Sequence, residues 1–131
     1  MGVRFPSQGS NVLVNNTITT TVETVLCTSP PLSLPLDFAL VLLSWYLLIG
    51  IIGTAATTAT VRIRRGAGTG GTVINNPVAV PVTAGSSLSL SGCYIDTPGA
   101  VAGQQYSVTV TMGAATANST PSDTCLLAYA L

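Results

Sequence analysis

The chain is expected to fold as an all-β sandwich or barrel, and three observations lead there. Short runs dense in Thr, Val and Ile are separated by clusters of Gly, Pro and Asn along most of its length, the punctuation of antiparallel strands and turns. Residues 104–112, QQYSVTVTM, alternate cleanly, with Tyr106, Val108, Val110 and Met112 on one side and Ser107, Thr109 and Thr111 on the other. No stretch carries the 3.6-residue apolar period of an amphipathic helix.

The elements follow in order. At 131 residues the chain makes one domain, divided here into an N-terminal arm, residues 1–16, and a body, residues 17–131. Residues 11–14 form a short apolar alternation within the arm. Residues 17–27, TITTTVETVLC, are rich in β-branched side chains that suit a pleated surface. Residues 29–35, SPPLSLP, hold three prolines that lack a backbone donor and cannot lie in a central strand. Residues 38–52 supply one long or two consecutive strands, with Gly50 and Gly53 as bend points. Residues 57–64, TTATVRIR, stop at the glycine-rich turn 66–71. Residues 72–82 are extended, but Pro77 and Pro81 confine them to an edge. Residues 86–95, SSLSLSGCYI, alternate and end at a turn, Asp96-Thr97-Pro98-Gly99. A small, polar loop over 113–123 leads to a last apolar strand, TCLLAYAL, over 124–131.

Two of these strands are apolar on both faces. Over 38–52, Phe38, Leu40, Leu42, Tyr46 and Leu48 lie opposite Val41, Leu43, Trp45, Leu47 and Ile49; over 124–131, Cys125, Leu127 and Tyr129 lie opposite Leu126, Ala128 and Ala130. A sandwich buries one face of each sheet, so the second apolar face asks for another cover. Composition points the same way. Charged residues are 6% of the chain against 47% hydrophobic, the net charge is zero and there is no Lys, which leaves little repulsion between copies. A symmetric oligomer is therefore expected, its interface formed by Leu126, Ala128 and Ala130, or by the opposite face of that strand, together with Trp45, Leu47 and Ile49.

The competing cover is lipid. Residues 38–56 are free of charge and come close to the roughly 20 apolar residues of a membrane-spanning helix, with Arg62, Arg64 and Arg65 as a basic flank. Gly50, Gly53 and the threonines that follow weaken such a helix, and it would cut one β pattern into two pieces. The polar lead after Arg4 is also unlike a signal peptide. A membrane span at 38–56 stays an alternative; the strand reading is preferred.

Chemistry-bearing residues are sparse. With no His and no Lys, general acid–base and Schiff-base groups are missing. Glu23, Asp37, Asp96 and Asp123 are scattered, three of them where a short carboxylate satisfies nearby backbone donors. No catalytic residue is assigned and no enzymatic activity is expected. Cys27, Cys93 and Cys125 lack metal-ligand spacing, so no metal and no cofactor is expected, and their disulfide state stays open. Arg62, Arg64 and Arg65 form the sole basic cluster, too small for a phosphate-binding stripe; a solvated strand end or ion pairs at a subunit boundary is expected, and no nucleic-acid partner. Tyr94, beside the 96–99 turn, is the aromatic expected on the outside, and with the three arginines makes a candidate surface contact.

Residues 86–131, in particular TAGSSLSLSGCYIDTPG, GQQYSVTVTM and the ending TCLLAYAL, resemble the later strands of small jelly-roll domains of the tumour necrosis factor and complement-head type, and of jelly rolls in phage virion and bacterial surface proteins. That resemblance implies a single jelly-roll sandwich of about eight to ten antiparallel strands assembled as a homotrimer, with an apolar last strand at the threefold axis. Residues 38–52 are greasier than those families show. By the same resemblance the expected role is a non-enzymatic virion structural protein, an external capsid decoration protein at the virion surface or otherwise outside the cell. Residues 1–16 are then candidates to reach a major capsid protein lattice. The alternative is a trimeric receptor- or glycan-binding tip of a tail fibre or surface filament.

Overall fold

The computed structural model describes residues 7–9, 17–19, 21–34, 40–52, 56–114 and 117–130. Among them every regular element is a strand, twelve in all, and every pairing is antiparallel. The first sheet holds β1 (Ser7–Gly9), β2 (Thr17–Ile18), β5 (Val41–Ile51), β9 (Ser87–Asp96) and β12 (Ala117–Ala130), in the order β1-β12-β5-β9 with β2 also on β12. The second holds β3 (Thr24–Thr28), β6 (Thr57–Arg65), β7 (Thr72–Val73), β8 (Ala79–Val82) and β11 (Tyr106–Met112), in the order β3-β11-β6-β7 with β8 also on β6. A two-stranded piece pairs β4 (Leu32–Leu34) with β10 (Val101–Gln104). This is an antiparallel β-sandwich, as expected.

The two sheets meet through one residue in two along each strand. Val41, Leu43, Leu47, Ile49, Leu126 and Ala128 come from the first sheet; Ala59, Val61, Ile63, Tyr106, Val108, Val110 and Met112 come from the second. Each large apolar side chain buried this way stabilises the fold by about 1.5–3 kcal/mol. The membrane helix is overturned at its centre: Val41–Ile51 is a strand with partners on both sides, β12 and β9. No helix among the described residues is long and apolar enough to cross a membrane.

Several boundaries differ from expectation for local reasons. The ribbon expected over 17–27 is broken at Thr21, whose φ of 66° is left-handed and whose amide donates to the Met112 carbonyl (2.9 Å). Hence β2 joins one sheet and β3 the other. The loop expected over 113–123 is instead strand from Ala117 onward, pairing Ala117, Asn118 and Ser119 with Ile51, Gly50 and Ile49. Backbone pairing needs no apolar side chain, so periodicity misses it. The polar interruption does leave a mark, because the β5–β12 register shifts between Ser119 and Thr124, a stretch that contains Pro121. Gly50 is no bend; it lies inside β5, opposite Ser87. Within the arm, Ser7–Gly9 pairs with Ala128–Leu126 of the same chain, so that part of it is occupied intramolecularly. Residues 10–16, Asp37 and Gly53 lie outside the described residues.

Candidate assembly surface and polar clusters

Side chains on the first sheet that do not enter the core form a second, outward surface. The register aligns them in rows across three strands: Tyr129, Leu42 and Ile95; Leu127, Ser44 and Cys93; Cys125, Tyr46 and Ser91. Tyr46 is 40% exposed and Ile95 56%, while Leu42, Leu127, Tyr129 and the neighbouring Leu48 are half-buried. None of these rows contains a charge. The surface thus combines aliphatic and aromatic area with hydroxyls and two thiols, those of Cys93 and Cys125. Cys93 is exposed and Cys125 half-buried.

The expected interface residues fall largely on the other side. Leu47, Ile49, Leu126 and Ala128 are fully buried within the single chain, because their parity in β5 and β12 directs them at the second sheet. They are core residues and not contacts between copies, which corrects that assignment. Trp45 shares their face and packs half-buried against the core. Its indole lies over Gly92, where an added Cβ would come within 2.9 Å of the ring. The side chain of Ala130 lies outside the described residues. Of the alternatives weighed from sequence, the opposite face of the last strand, Cys125, Leu127 and Tyr129, is the one left outward.

The arginines act as internal ties. Arg64 Nε donates to Glu23 Oε1 and Nη2 to Oε2, each at 2.7 Å, and Nη1 donates to the Gly71 carbonyl. Thr109, fully buried, also donates to Glu23 Oε1. Glu23 is held below the usual carboxylate range, foremost by the Arg64 bond, with burial opposing and Thr109 assisting. Gly68 N–H and the Gly66 carbonyl both engage Ser107 Oγ, so the glycine-rich turn lies across the outer side of the second sheet. Its tightness needs Gly71, where a Cβ would overlap the Arg65 carbonyl. Arg62 donates to Thr111 Oγ1 (2.8 Å). As expected, Arg62 and Arg64 share a face; the charge of Arg64 is matched within the chain, not at a subunit boundary.

A second cluster joins the two sheets. Arg65 Nε donates to Asp96 Oδ2 (2.9 Å) and Nη2 to Oδ1 (2.6 Å), while the Tyr106 hydroxyl donates to Oδ2 (2.8 Å). Burial is the largest influence on Asp96 and pushes its carboxyl up; the bonds from Arg65 and Tyr106 more than reverse it, and the net displacement is downward. Burial, then the adjacent carboxylate, raises the Tyr106 phenol well above its usual value. Asp96 belongs to a turn signal and Tyr106 to an alternating row in the sequence, and no spacing rule links residues from opposite sheets. Tyr94, on β9, is 38% exposed and stands opposite Leu43, on the core-side face of the first sheet near its edge.

Among the described residues no group of three or more His, Cys, Asp or Glu could hold a metal ion. An open depression lined by Ala56, Thr57, Thr58, Gly113 and Ala114 has no ionisable side chain in its wall. No family model and no curated protein matches the chain. Among solved structures it is similar to the CBM22-1 xylan-binding domain from Paenibacillus barcinonensis Xyn10C, at 12% identity and a TM-score of 0.30, over 98% of this chain and 91% of that one. A TM-score of that size carries no argument about what this chain binds.

Proposed function

We propose that the protein is a non-enzymatic structural component of an external assembly, built as a jelly roll and associating as a homotrimer, with capsid decoration at a virion surface as its role. The jelly-roll reading is supported by strand order. Leaving aside β1, β4, β7 and β10, the chain alternates between sheets from β2 to β6, makes one hairpin from β6 to β8, and alternates again through β9, β11 and β12. That is the double Greek-key path of a jelly roll.

One observation carries the functional reading: the first sheet, already packed on the core by one face, presents a second face centred on Tyr46, Leu42, Leu127 and Tyr129, where the described side chains carry no charge. A sheet face of this kind is suited to contact with an equivalent face around a symmetry axis. The exposed Tyr46 ring favours a second reading, a receptor- or glycan-binding tip in which it serves as a stacking platform.

Tyr46→Asp separates these. Tyr46 is exposed in the single chain, so a carboxylate there leaves the fold intact. Buried between copies and unpaired, it would cost several kcal/mol, on the order of the penalty for an isolated buried charge. The expected result is an unchanged far-UV spectrum with a fall in particle mass by light scattering. A wild-type protein that is already monomeric, or a variant of unchanged mass, rules out this face as the contact. Lost glycan binding without a change in mass would favour the tip.

A further inference from the structure

We propose that the free edge of β9 is a strand-pairing site for β9 of a second copy, running antiparallel about a two-fold axis at Ser91. This goes beyond the face contact above and stands whether or not that contact forms. Among the described residues β9 pairs on one side only, with β5. Its ten residues follow β5 without a register shift, from Ser87 opposite Gly50 to Asp96 opposite Val41. The resulting edge is about 34 Å long.

The other edges of the two sheets are blunted in ways that prevent such pairing. β1 and β2 have three and two residues. β7 has two, and β8 contains Pro81. β3 has five residues and a register shift against β11. β9 has none of these devices: residues 87–95 include no proline and no charge, and Asp96 is committed to Arg65 and Tyr106. A long, regular, neutral edge is the kind that accepts another strand.

The hydrogen-bond phase shows which backbone groups are on offer. Ile51 N–H donates to the Ser86 carbonyl (2.8 Å), so even-numbered residues of β9 bond toward β5. Ser87, Ser89, Ser91, Cys93 and Ile95 therefore aim their N–H and C=O groups at the open edge. A second β9 centred on Ser91 matches all of these, Ser87 with the partner's Ile95, Ser89 with the partner's Cys93, and Ser91 with itself. Centring on residue 90 or 92 strands one of them on each chain. On the core-side face the same register sets Leu88, half-buried, beside the partner's exposed Tyr94, and Leu90 beside the partner's Gly92. No like charges oppose one another. Self-complementarity of edge, face and phase selects a second copy over an unrelated strand.

Amide hydrogen exchange on the intact chain tests this directly. Leu88 and Leu90 amides should be protected at every concentration, because they bond to β5. Ser89, Ser91 and Cys93 amides should be protected in concentrated protein and lose that protection on dilution. Ser91→Pro removes one edge donor without touching the β5 ladder, and should halve the particle mass while Leu88 and Leu90 stay protected. If Ser91→Pro instead unfolds β9, the wild-type exchange pattern decides alone. Fast exchange at Ser89, Ser91 and Cys93 at all concentrations overturns the proposal, as does a correctly folded Ser91→Pro of unchanged mass. Repeating the exchange in Tyr46→Asp separates the two contacts: edge protection should survive loss of the face contact.

Discussion

Asp96 accepts three hydrogen bonds from two side chains while only 4% of it is exposed. Such a carboxylate is stable in the interior because each oxygen is matched by a donor and its charge by Arg65. Replacing it breaks the match on both partners. Asp96→Asn leaves the guanidinium of Arg65 without its counter-charge and weakens the acceptor for the buried Tyr106 hydroxyl. The expected loss is about 2–4 kcal/mol, toward the lower figure because a third of the Arg65 side chain remains in water. Urea unfolding checks it: a midpoint within error of wild type would show that this cluster is not a tie between the sheets. Glu23 is more exposed than Asp96, 20% against 5% by side chain, and Glu23→Gln should cost less than Asp96→Asn.

Strand β9 is shaped by a residue it lacks. Gly92 opposes Trp45 in the β5–β9 register, and the indole fills the space its side chain would take. A glycine in a strand otherwise weakens it and invites kinking; covering it with an aromatic ring restores packing and keeps the strand regular. Gly92→Val must displace the ring, at a cost of about 1–3 kcal/mol for overpacking. Because Trp45 is the sole tryptophan, its fluorescence maximum reports the event. The expected outcome is a shift to longer wavelength with a lower thermal midpoint; unchanged emission would mean that the ring does not rest on the glycine. In β12 it is parity that matters. Leu126→Asp places a charge at a fully buried position of the core and should unfold the single chain, not merely part its copies.

For the whole molecule the ionisable groups bound a pH range of stability. Glu23 and Asp96 have lowered values in the fold, against ordinary values of 4.5 and 3.8. The unfolded chain takes up their protons first, so their contribution is fully present above those ordinary values and is lost as pH falls through the lowered ones. Tyr106 and Cys27 behave oppositely. Burial raises Cys27 from 9.0 to about 11, with Cys125 adding to it, and raises Tyr106 from 10.0. Their contribution is present below the ordinary values and fades as pH rises from about 9 upward. Stability should be flat between about pH 5 and 9 and fall on both sides. The alkaline fall should weaken in Tyr106→Phe, once its lower starting stability is allowed for; a profile in that variant identical in shape to wild type would remove Tyr106 as its cause. At pH 8 a thiol reagent should label Cys93 readily and Cys27 only after unfolding.

Much of this architecture could be read directly from residue order. Alternation in 104–112, β-branched density and the Gly and Pro punctuation point to antiparallel strands, since period and turn chemistry are local properties. The two-faced greasiness of β5 and β12 was equally plain, as was the shared face of Arg62 and Arg64. Which face of β5 would look inward was not legible, because both are apolar and the choice depends on where the second sheet lies. For the same reason Leu47, Ile49, Leu126 and Ala128 read as contacts between copies until packing enclosed them. The Arg65–Asp96–Tyr106 tie and the unguarded edge of β9 also belong to three dimensions: one joins side chains across two sheets, and the other exists only once β5 has claimed the opposite side of the strand.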